Sequence, residues 1–517
     1  MLKPLIKIAA LSLGLHCGCM PLQAAEAPAV PTASDRTPQS ITPILSLTLQ
    51  EAVLKALENN QGLKLQRYDA PLAALSLAEQ QAIFDANLVA QAQGGAESAK
   101  RLLGASTEFL DIFSSTQDYS VGIEKNFATG TEMSLSLSTN TTNRSLSNGV
   151  SNQQVSRLGL SFTQALLQGR DPTVNEALIQ QAELQTELVG HNLRGFAEAL
   201  VADTETAFWD YLSAQQQYRL SQLALATTQE ALENTRERIA VGRLAGIESI
   251  TLEAELALRQ QALITTKGTL RERELELLRL INPQAPNTHW SDYQLTLKEP
   301  VGVPQIQLNP LNTHIDLALQ QRPEIKEARV LARQRNLEVV RTRDGLLPVL
   351  DVFLTLGKTG YADSFIGSVG NLAGNNFDFN TGLRFAYPLG ARAAEARYQR
   401  AQISEDQQNE ALKNLEQQIE LDLRRAYLRL SLARENIEAT KTTRQFQQTR
   451  FEAEQERYRV GRTNAYQVVL SQRELLEAQV REAESLIAYL KALTQFYRFE
   501  GTLLQRHGVQ FKEGVFQ

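Results

Sequence analysis

The sequence predicts a mixed, mainly α-helical fold in which two structural repeats supply long antiparallel coiled-coil helices and amphipathic β-strands. The string Glu237-Arg-Ile-Ala-Val-Gly242-Arg recurs as Glu456-Arg-Tyr-Arg-Val-Gly461-Arg, and the two glycines lie 219 residues apart. Each string ends a proline-free stretch of about 70 residues rich in Ala, Gln, Glu, Leu and Arg, which is typical of long packed helices. Such repetition indicates one duplicated helical hairpin rather than several unrelated domains.

A second match shows how far the duplication extends. The segment from Ala56-Leu57 to Leu63-Lys64 corresponds to Ala318-Leu319 to Ile325-Lys326 at an offset of 262 residues. This offset is 43 residues larger than that of the glycines, so the first copy contains an insertion. We expect the insertion in the Ser-, Asn- and Thr-rich region between Ala96 and Ser156.

Residues 1–25 have the features of a secretory signal peptide. Two early lysines precede an apolar core, and Leu22-Gln-Ala-Ala25 supplies the small residues of a cleavage site. The chain is therefore expected to leave the cytoplasm, and its only cysteines, Cys17 and Cys19, lie inside this segment. Lipidation of Cys19 is the less favoured alternative, because the preceding residues lack the leucine of a lipidation motif.

Residues 26–46 are rich in Pro, Thr and Ser and predict a flexible leader. The first repeat is predicted at 47–282, and its first helix begins at Thr48, which can form a capping box with Glu51. The predicted elements are a helix at 48–84, strands within 88–164, a long helix at 172–241, the hairpin tip at Gly242 and a helix at 247–281.

Three runs in the first repeat alternate apolar and small polar residues, which predicts strands. These runs are Tyr119, Val121 and Ile123; Met133, Leu135 and Leu137; and Leu158, Leu160 and Phe162. A turn at 128–131 joins the first two, 88–95 is a weaker strand, and 100–116 and 140–154 read as polar loops. The Ser, Thr and Gly of the second face suit a wall between lipid and water, although a soluble sheet with one wet face is the alternative.

The second repeat is predicted at 311–505, after a Pro-rich connector at 283–310, and a polar tail follows at 506–517. Its elements follow the order of the first repeat. They are a helix at 311–345, strands within 350–388 around a Gly/Asn-rich loop at 358–376, a long helix at 391–460, the hairpin tip at Gly461 and a further helix.

No apolar run after the signal approaches the roughly 20 residues of a membrane helix, so an exported chain is either free in the periplasm or part of a β-barrel. The four to six predicted strands are too few to close a barrel around a lumen, and their open edges would be unsatisfied in lipid. Several chains must therefore pool their strands. Helices of about 70 residues reach roughly 100 Å, which suits the wall of a tube better than a globular core.

The sequence contains no catalytic constellation, so we expect no enzyme activity. The mature histidines lack the spacing of metal ligands, and there is no Gly-x-x-x-x-Gly-Lys phosphate loop. We accordingly expect no metal and no cofactor. The net charge of −6, with acids and bases interspersed, also gives no basic patch for nucleic acid.

Several motifs resemble the TolC-type outer-membrane efflux protein family. They are the Leu-Thr-Leu-x-Glu-Ala start at Leu47, Gly159-Leu-Ser-Phe-Thr-Gln164, Gly382-Leu-Arg-Phe-Ala-Tyr-Pro-Leu389 and the twin Arg-x-x-Val-Gly hairpins. The resemblance covers about 45–505. It implies a homotrimer in which a long antiparallel α-helical coiled-coil barrel in the periplasm continues a transmembrane β-barrel held by outer-membrane lipid.

The resemblance further implies a passive exit duct in a tripartite efflux or type I secretion system. A periplasmic adaptor, also called a membrane fusion protein, would open the duct, and an inner-membrane transporter would feed it. The family has two strands per half and twelve per trimer, whereas the first half here reads as four. Whether the hairpin at 119–139 joins the barrel is left open by the sequence.

The family's functional positions fall at the two hairpin tips. The resemblance implies a periplasmic gate made of Glu248, Tyr458, Arg462, Thr463, Gln467 and Leu470, in which Glu248, Tyr458 and Arg462 latch neighbouring hairpins. Solvated helix-end side chains are the alternative reading. The adaptor contact is expected at Val241, Gly242, Arg243, Val460, Gly461 and Arg462, where glycine permits the reversal of the backbone.

Two rival functions remain at this point. A periplasmic coiled-coil scaffold without a pore would leave the alternating apolar residues without a lipid partner. A channel for secreted polypeptides rather than for drugs, metals or other small molecules fits the sequence equally well, because selection of the cargo lies with the transporter.

Overall fold

The computed structural model describes residues 44–102, 109–146, 149–284, 289–298 and 309–509, with the two short pieces 511–512 and 515–516. The predicted signal peptide, the leader up to residue 43 and half of the predicted connector lie outside these residues. The last leader residues form a strand rather than a flexible segment. This strand, β1, pairs in parallel with β6, so Ile44 to Leu47 lie beside Gln294 to Leu297.

The helices follow the predicted order. They are α1 Leu49–Asn59, α2 Gln61–Arg67, α3 Asp69–Gln81, α4 Pro172–Asn175, α5 Ala177–Ala240, α6 Ile247–Ile281, α7 Leu311–Gln321, α8 Pro323–Asp344, α9 Phe365–Gly370, α10 Arg392–Arg459, α11 Ala465–Glu500 and α12 Leu503–Arg506. Short 3₁₀ turns occupy Ala82–Phe84, Trp290–Asp292 and Asn371–Ala373. The strands are β1 Ile44–Leu47, β2 Asn87–Leu102, β3 Phe109–Phe127, β4 Thr131–Leu146, β5 Gly149–Ala165, β6 Gln294–Leu297, β7 Val349–Ala362, β8 Phe377–Ala386, β9 Phe511–Lys512 and β10 Val515–Phe516.

The first helix of each repeat is interrupted, where the sequence predicted one continuous helix. The capping box is present, since the Glu51 carboxylate accepts from the Thr48 amide at 2.9 Å. At Asn60 the backbone is extended, and its side chain restarts the helix by accepting from the Leu63 amide at 3.2 Å. At Arg322 the following proline excludes helical backbone, so α8 begins at Pro323.

Strands β2, β3, β4, β5, β7 and β8 form one antiparallel sheet in that order. The hairpin of β3 and β4, which contains 119–139, is therefore part of this open sheet. Two predicted loops were wrong, because β2 and β3 cover most of 100–116, and β4 and β5 cover most of 140–154. Backbone pairing with a neighbour maintains these strands although their sequences do not alternate apolar and polar residues. Likewise β7 continues to Ala362 and α9 follows, where a loop at 358–376 was predicted.

An apolar row crosses the whole sheet on one face. It consists of Leu88, Ile123, Leu135, Leu160, Leu356 and Phe379, each opposite the next across the ladder. The exposed fractions run from 37% for Leu160 to 74% for Leu88, so this chain does not cover the face. The adjacent row on the other face carries small or polar residues on five of its six strands, including Gly122, Ser136 and Asp378.

The short turn between β3 and β4 is anchored where the sheet meets the helices. Gly130 has a φ of +72°, and its carbonyl accepts from the Ala165 amide at 3.0 Å. The Asn175 side chain donates to the carbonyls of Ala128 and Gly169, both at 2.7 Å. The hairpin of β3 and β4 is thus attached next to the start of the long helix α5.

Below the sheet, the helices pack around a large apolar core near the β1–β6 pair. Fully buried side chains include Phe208, Leu277 and Phe496. His314 lies buried against Glu500, with Nδ1 2.5 Å from Oε1, so this histidine has a packing role. None of the helices in the described ranges combines the length and the apolarity that crossing a bilayer requires.

Replacing Gly130 by alanine should destabilise the fold. A Cβ there would lie 2.1 Å from the Gly169 carbonyl oxygen, and the positive φ is unfavourable for alanine. We expect a cost of about 1–3 kcal/mol and a lower midpoint of thermal unfolding followed by circular dichroism. Gly190→Ala is the control, since no atom lies within 4 Å of its Cβ position. Equal midpoints for Gly130→Ala and the wild type would contradict the anchored turn.

Candidate functional site

Both hairpin ends have the same backbone geometry. Gly242 and Gly461 have φ values of +74° and +73°. The Gly242 amide donates to the Ile239 carbonyl at 2.9 Å, and the Arg243 amide donates to the Arg238 carbonyl at 2.9 Å. The second end repeats these bonds from Gly461 and Arg462. This pair of bonds is a Schellman motif, in which a left-handed glycine terminates a helix.

The ends present apolar and cationic side chains to solvent. Val241 is 68% exposed and Val460 is 56% exposed. Arg243 and Arg462 follow the glycines and are exposed as well. Within the described chain neither guanidinium has an ion-pair partner. The predicted adaptor-contact residues therefore form two small, exposed Val-Gly-Arg turns, one at each hairpin end.

Glu248 connects the first hairpin to the second. Its carboxylate accepts a hydrogen bond from the Ala465 amide, with Oε2 3.1 Å from the nitrogen. Ala465 is the first residue of α11, where unpaired amides and the helix dipole favour a negative charge. The Asn464 side chain satisfies another amide of this turn, that of Gln467, at 3.2 Å. Two side chains thus cap α11, one from each hairpin.

Tyr458 provides the second contact between the hairpins. Its hydroxyl lies 3.3 Å from Thr235 Oγ1, and the Arg238 guanidinium lies 5.4 Å from its ring centroid. The ring packs against a small apolar cluster of Leu232, Leu252, Ala465 and Val469. This cluster joins α5, α6 and α11 close to the tips, so the hairpin ends are held together within one chain.

The six predicted gate residues are placed differently from one another. Glu248 and Tyr458 lie at the contact between hairpins, whereas Arg462 is exposed and forms no hydrogen bond or ion pair with either side chain within the described chain. Thr463 and Leu470 are half-buried, and Gln467 is exposed. One chain therefore does not form the latch of Glu248, Tyr458 and Arg462, and a latch between neighbouring copies stays a prediction.

Sequence reasoning missed a polar cavity between the tips. Its volume is about 430 Å³, and its lining includes Arg238, Tyr458 and Arg459. Arg459 Nη2 lies 2.5 Å from Glu456 Oε1 at the cavity edge. The hydrogen bonds from Arg459 hold the pKa of the Glu456 carboxyl below its ordinary value. Thr235 and Tyr458 lie 223 residues apart, on different hairpins, so no local spacing in the sequence pairs them.

Within the described residues, no group of three or more His, Cys, Asp or Glu side chains could hold a metal ion. The geometry of the hairpin ends offers contacts between helices and an exposed surface.

Comparison with known proteins gives one family match. Residues 314–502 match the family model described as "Outer membrane efflux protein", which covers most of the second repeat. A comparison with curated protein sequences finds no match.

The fold is that of several solved outer-membrane channels. The CmeC outer membrane channel of Campylobacter jejuni is 16% identical, with 88% of this chain and 86% of that chain covered and a TM-score of 0.63. The open state of the MtrE outer membrane channel of Neisseria gonorrhoeae is 16% identical over 88% and 89% of the chains, with a TM-score of 0.61. The outer membrane protein VceC of Vibrio cholerae is 15% identical over 88% and 96%, with a TM-score of 0.63.

Glu248→Ala should loosen the start of α11. Removal of the carboxylate leaves the Ala465 amide without its partner, and the loss of about 1 kcal/mol corresponds to roughly five-fold faster exchange of that amide. Hydrogen exchange read by mass spectrometry on peptides covering 464–469 measures it. Glu253→Ala is the matched control, because Glu253 pairs with Arg236 at 2.8 Å inside the first hairpin. Unchanged exchange in Glu248→Ala would show that the contact does not hold the two hairpins together.

Proposed function

The chain resembles the TolC-type outer-membrane efflux proteins in its family match and in its fold, and from this premise we propose that it is the outer-membrane exit channel of an efflux system. The observation that carries the proposal is the open six-stranded sheet with its exposed apolar row. A face of this kind fits the outside of a barrel in lipid, where apolar residues alternate with residues that line the lumen.

Three copies would close the barrel by pairing β2 of one chain with β8 of the next. Unpaired edge amides and carbonyls are costly in lipid, so each edge requires a partner. Six strands per chain give eighteen in a homotrimer. Barrels of 16–18 strands enclose a water-filled channel, so this barrel would be wider than the family's usual twelve-stranded one.

The polar face of the sheet is suited to the lumen. Arg157 on β5 reaches across β7 to Asp378 on β8, with Nε 3.2 Å from Oδ1. The pair passes over Gly357, where a Cβ would lie 2.1 Å from the Asp378 carboxylate. A hydrated ion pair of this kind belongs in water rather than in lipid, which supports the assignment of the faces.

The helices would form the periplasmic part of the duct. At 1.5 Å per residue, α5 with 64 residues and α10 with 68 residues each reach roughly 100 Å. Each is followed, after its glycine turn, by a helix of about half that length, which supports two structural repeats at 47–282 and 311–505. The signal peptide at 1–25 would direct the chain to the periplasm before insertion.

Opening would take place at the hairpin ends, where a periplasmic adaptor meets the exposed Val-Gly-Arg turns and an inner-membrane transporter supplies the energy. The gate residues would act between neighbouring copies, with Arg462 free to reach an acidic group on the next chain. The same duct could serve a type I secretion system. A coiled-coil scaffold without a pore would leave the apolar row of the sheet in water, which disfavours that alternative.

Cysteine pairs across the proposed interface test the pooled barrel. Both native cysteines lie in the predicted signal peptide, so every disulfide in the mature protein would form between introduced cysteines. Ala90→Cys or Ala92→Cys on β2, each combined with Thr381→Cys on β8, should give disulfide-linked dimers and trimers in cell envelopes on non-reducing gels. Two β2 positions are used because the register between chains is not fixed by one chain.

Leu137→Cys with Thr381→Cys is the matched comparison, because Leu137 lies on β4 inside the sheet. This pair should give monomers. Cross-linking of the β4 pair and not of the β2 pairs would place the hairpin of β2 and β3 outside a twelve-stranded barrel. Absence of cross-links from every pair would contradict the pooled barrel.

A further inference from the structure

A second groove, distinct from the hairpin ends, lies where the helices meet the sheet. Its volume is about 960 Å³, and α3, α5, α8 and α10 all contribute to its lining. Gln168 and Gly345, which flank the strands β5 and β7, place it at the sheet end of these helices. Its charged lining consists of Arg335, Glu338, Arg341, Arg397 and Arg400.

The groove runs across one face of a row of four helices. Helix α5 packs between α3 and α8, and α8 packs between α5 and α10. When such a row is curved, its outer and inner helices converge on the concave side. A single groove that touches all four helices therefore lies on that side. In the proposed trimer, on which this inference rests, that side faces the channel axis.

The opposite side of the layer has a different electrostatic balance. Arg333 lies two residues before Arg335, about 200° around the helix. Its guanidinium is paired with the Glu187 carboxylate at 2.7 Å. The positive charge of Arg333 is thus compensated.

On the groove side the positive charge is not compensated. Glu338 is the only carboxylate in the lining, and it is bound by Arg341 at 2.8 Å. In the described ranges, the exposed guanidiniums of Arg335, Arg397 and Arg400 have no ion-pair partner. Five glutamines make up much of the remaining polar lining, and their amides can also donate.

We propose that this groove makes the channel interior selective for anions and favours solutes that carry carboxylate, phosphate or sulfate groups. Guanidinium groups bind such oxyanions through paired N–H donors. Three copies would bring nine uncompensated guanidiniums around one axis. Charges of one sign within a cleft with low-dielectric walls focus the field and raise the local concentration of counter-ions.

The test is the chloride-to-potassium permeability ratio of the purified full-length protein in planar lipid bilayers, measured from reversal potentials in a KCl gradient. The triple variant Arg335→Gln, Arg397→Gln, Arg400→Gln should lower the ratio by roughly three-fold or more at low salt, where screening is weak. The triple replacement of the same residues by lysine keeps the charge and should keep the wild-type ratio.

Arg333→Gln is the matched control on the opposite side of the layer and should leave the ratio unchanged. An open channel whose ratio is the same in the glutamine triple variant and the wild type would overturn the proposal. An equal effect of Arg333→Gln would overturn it too, because the effect would then be independent of the groove.

The three single glutamine variants keep the test decisive if the triple variant does not insert, and each should lower the ratio in part. Failure of the wild type itself to conduct ions would count against the proposed function. That outcome is separate from an unchanged ratio in conducting channels.

Discussion

The pairing of backbone amides and carbonyls along the strand edges is the constraint on which the rest of the structure depends. A sheet of six strands leaves two edges, and one of its faces exposes apolar side chains from every strand. Lipid suits the apolar face but does not satisfy the edges. Only further strands can satisfy both conditions, and identical copies, as in the proposed trimer, would provide them with the same register at each interface.

The same requirement accounts for the helical part. In the proposed channel the helices would continue the wall that the strands begin, and α5 and α10 leave the sheet end of the chain as very long helices. Their glycine turns reverse the chain without a bulky loop. Cross-hairpin contacts from Glu248 and Tyr458 then keep the two reversals at one level, while the arginine-lined groove lies at the opposite end of the long helices, near the sheet.

The sequence predicted those features that depend on local chemistry. The capping box at Thr48, the helix from Ile247 to Ile281 and the glycine turns follow from neighbouring residues, and the structure has them. It did not predict that 100–116 and 140–154 are mostly strand, because pairing with a neighbouring backbone stabilises strands whose side chains show no apolar alternation. The bond from Ala465 to Glu248 was likewise hidden, since its partners are 217 residues apart and only packing joins them.

Native mass spectrometry of the protein extracted from cell envelopes in detergent tests the central claim most directly. The account predicts a species of three chains that persists on dilution and requires detergent to stay in solution. A single chain that remains monodisperse in plain buffer would contradict it, because the apolar row and both sheet edges would then be stable in water.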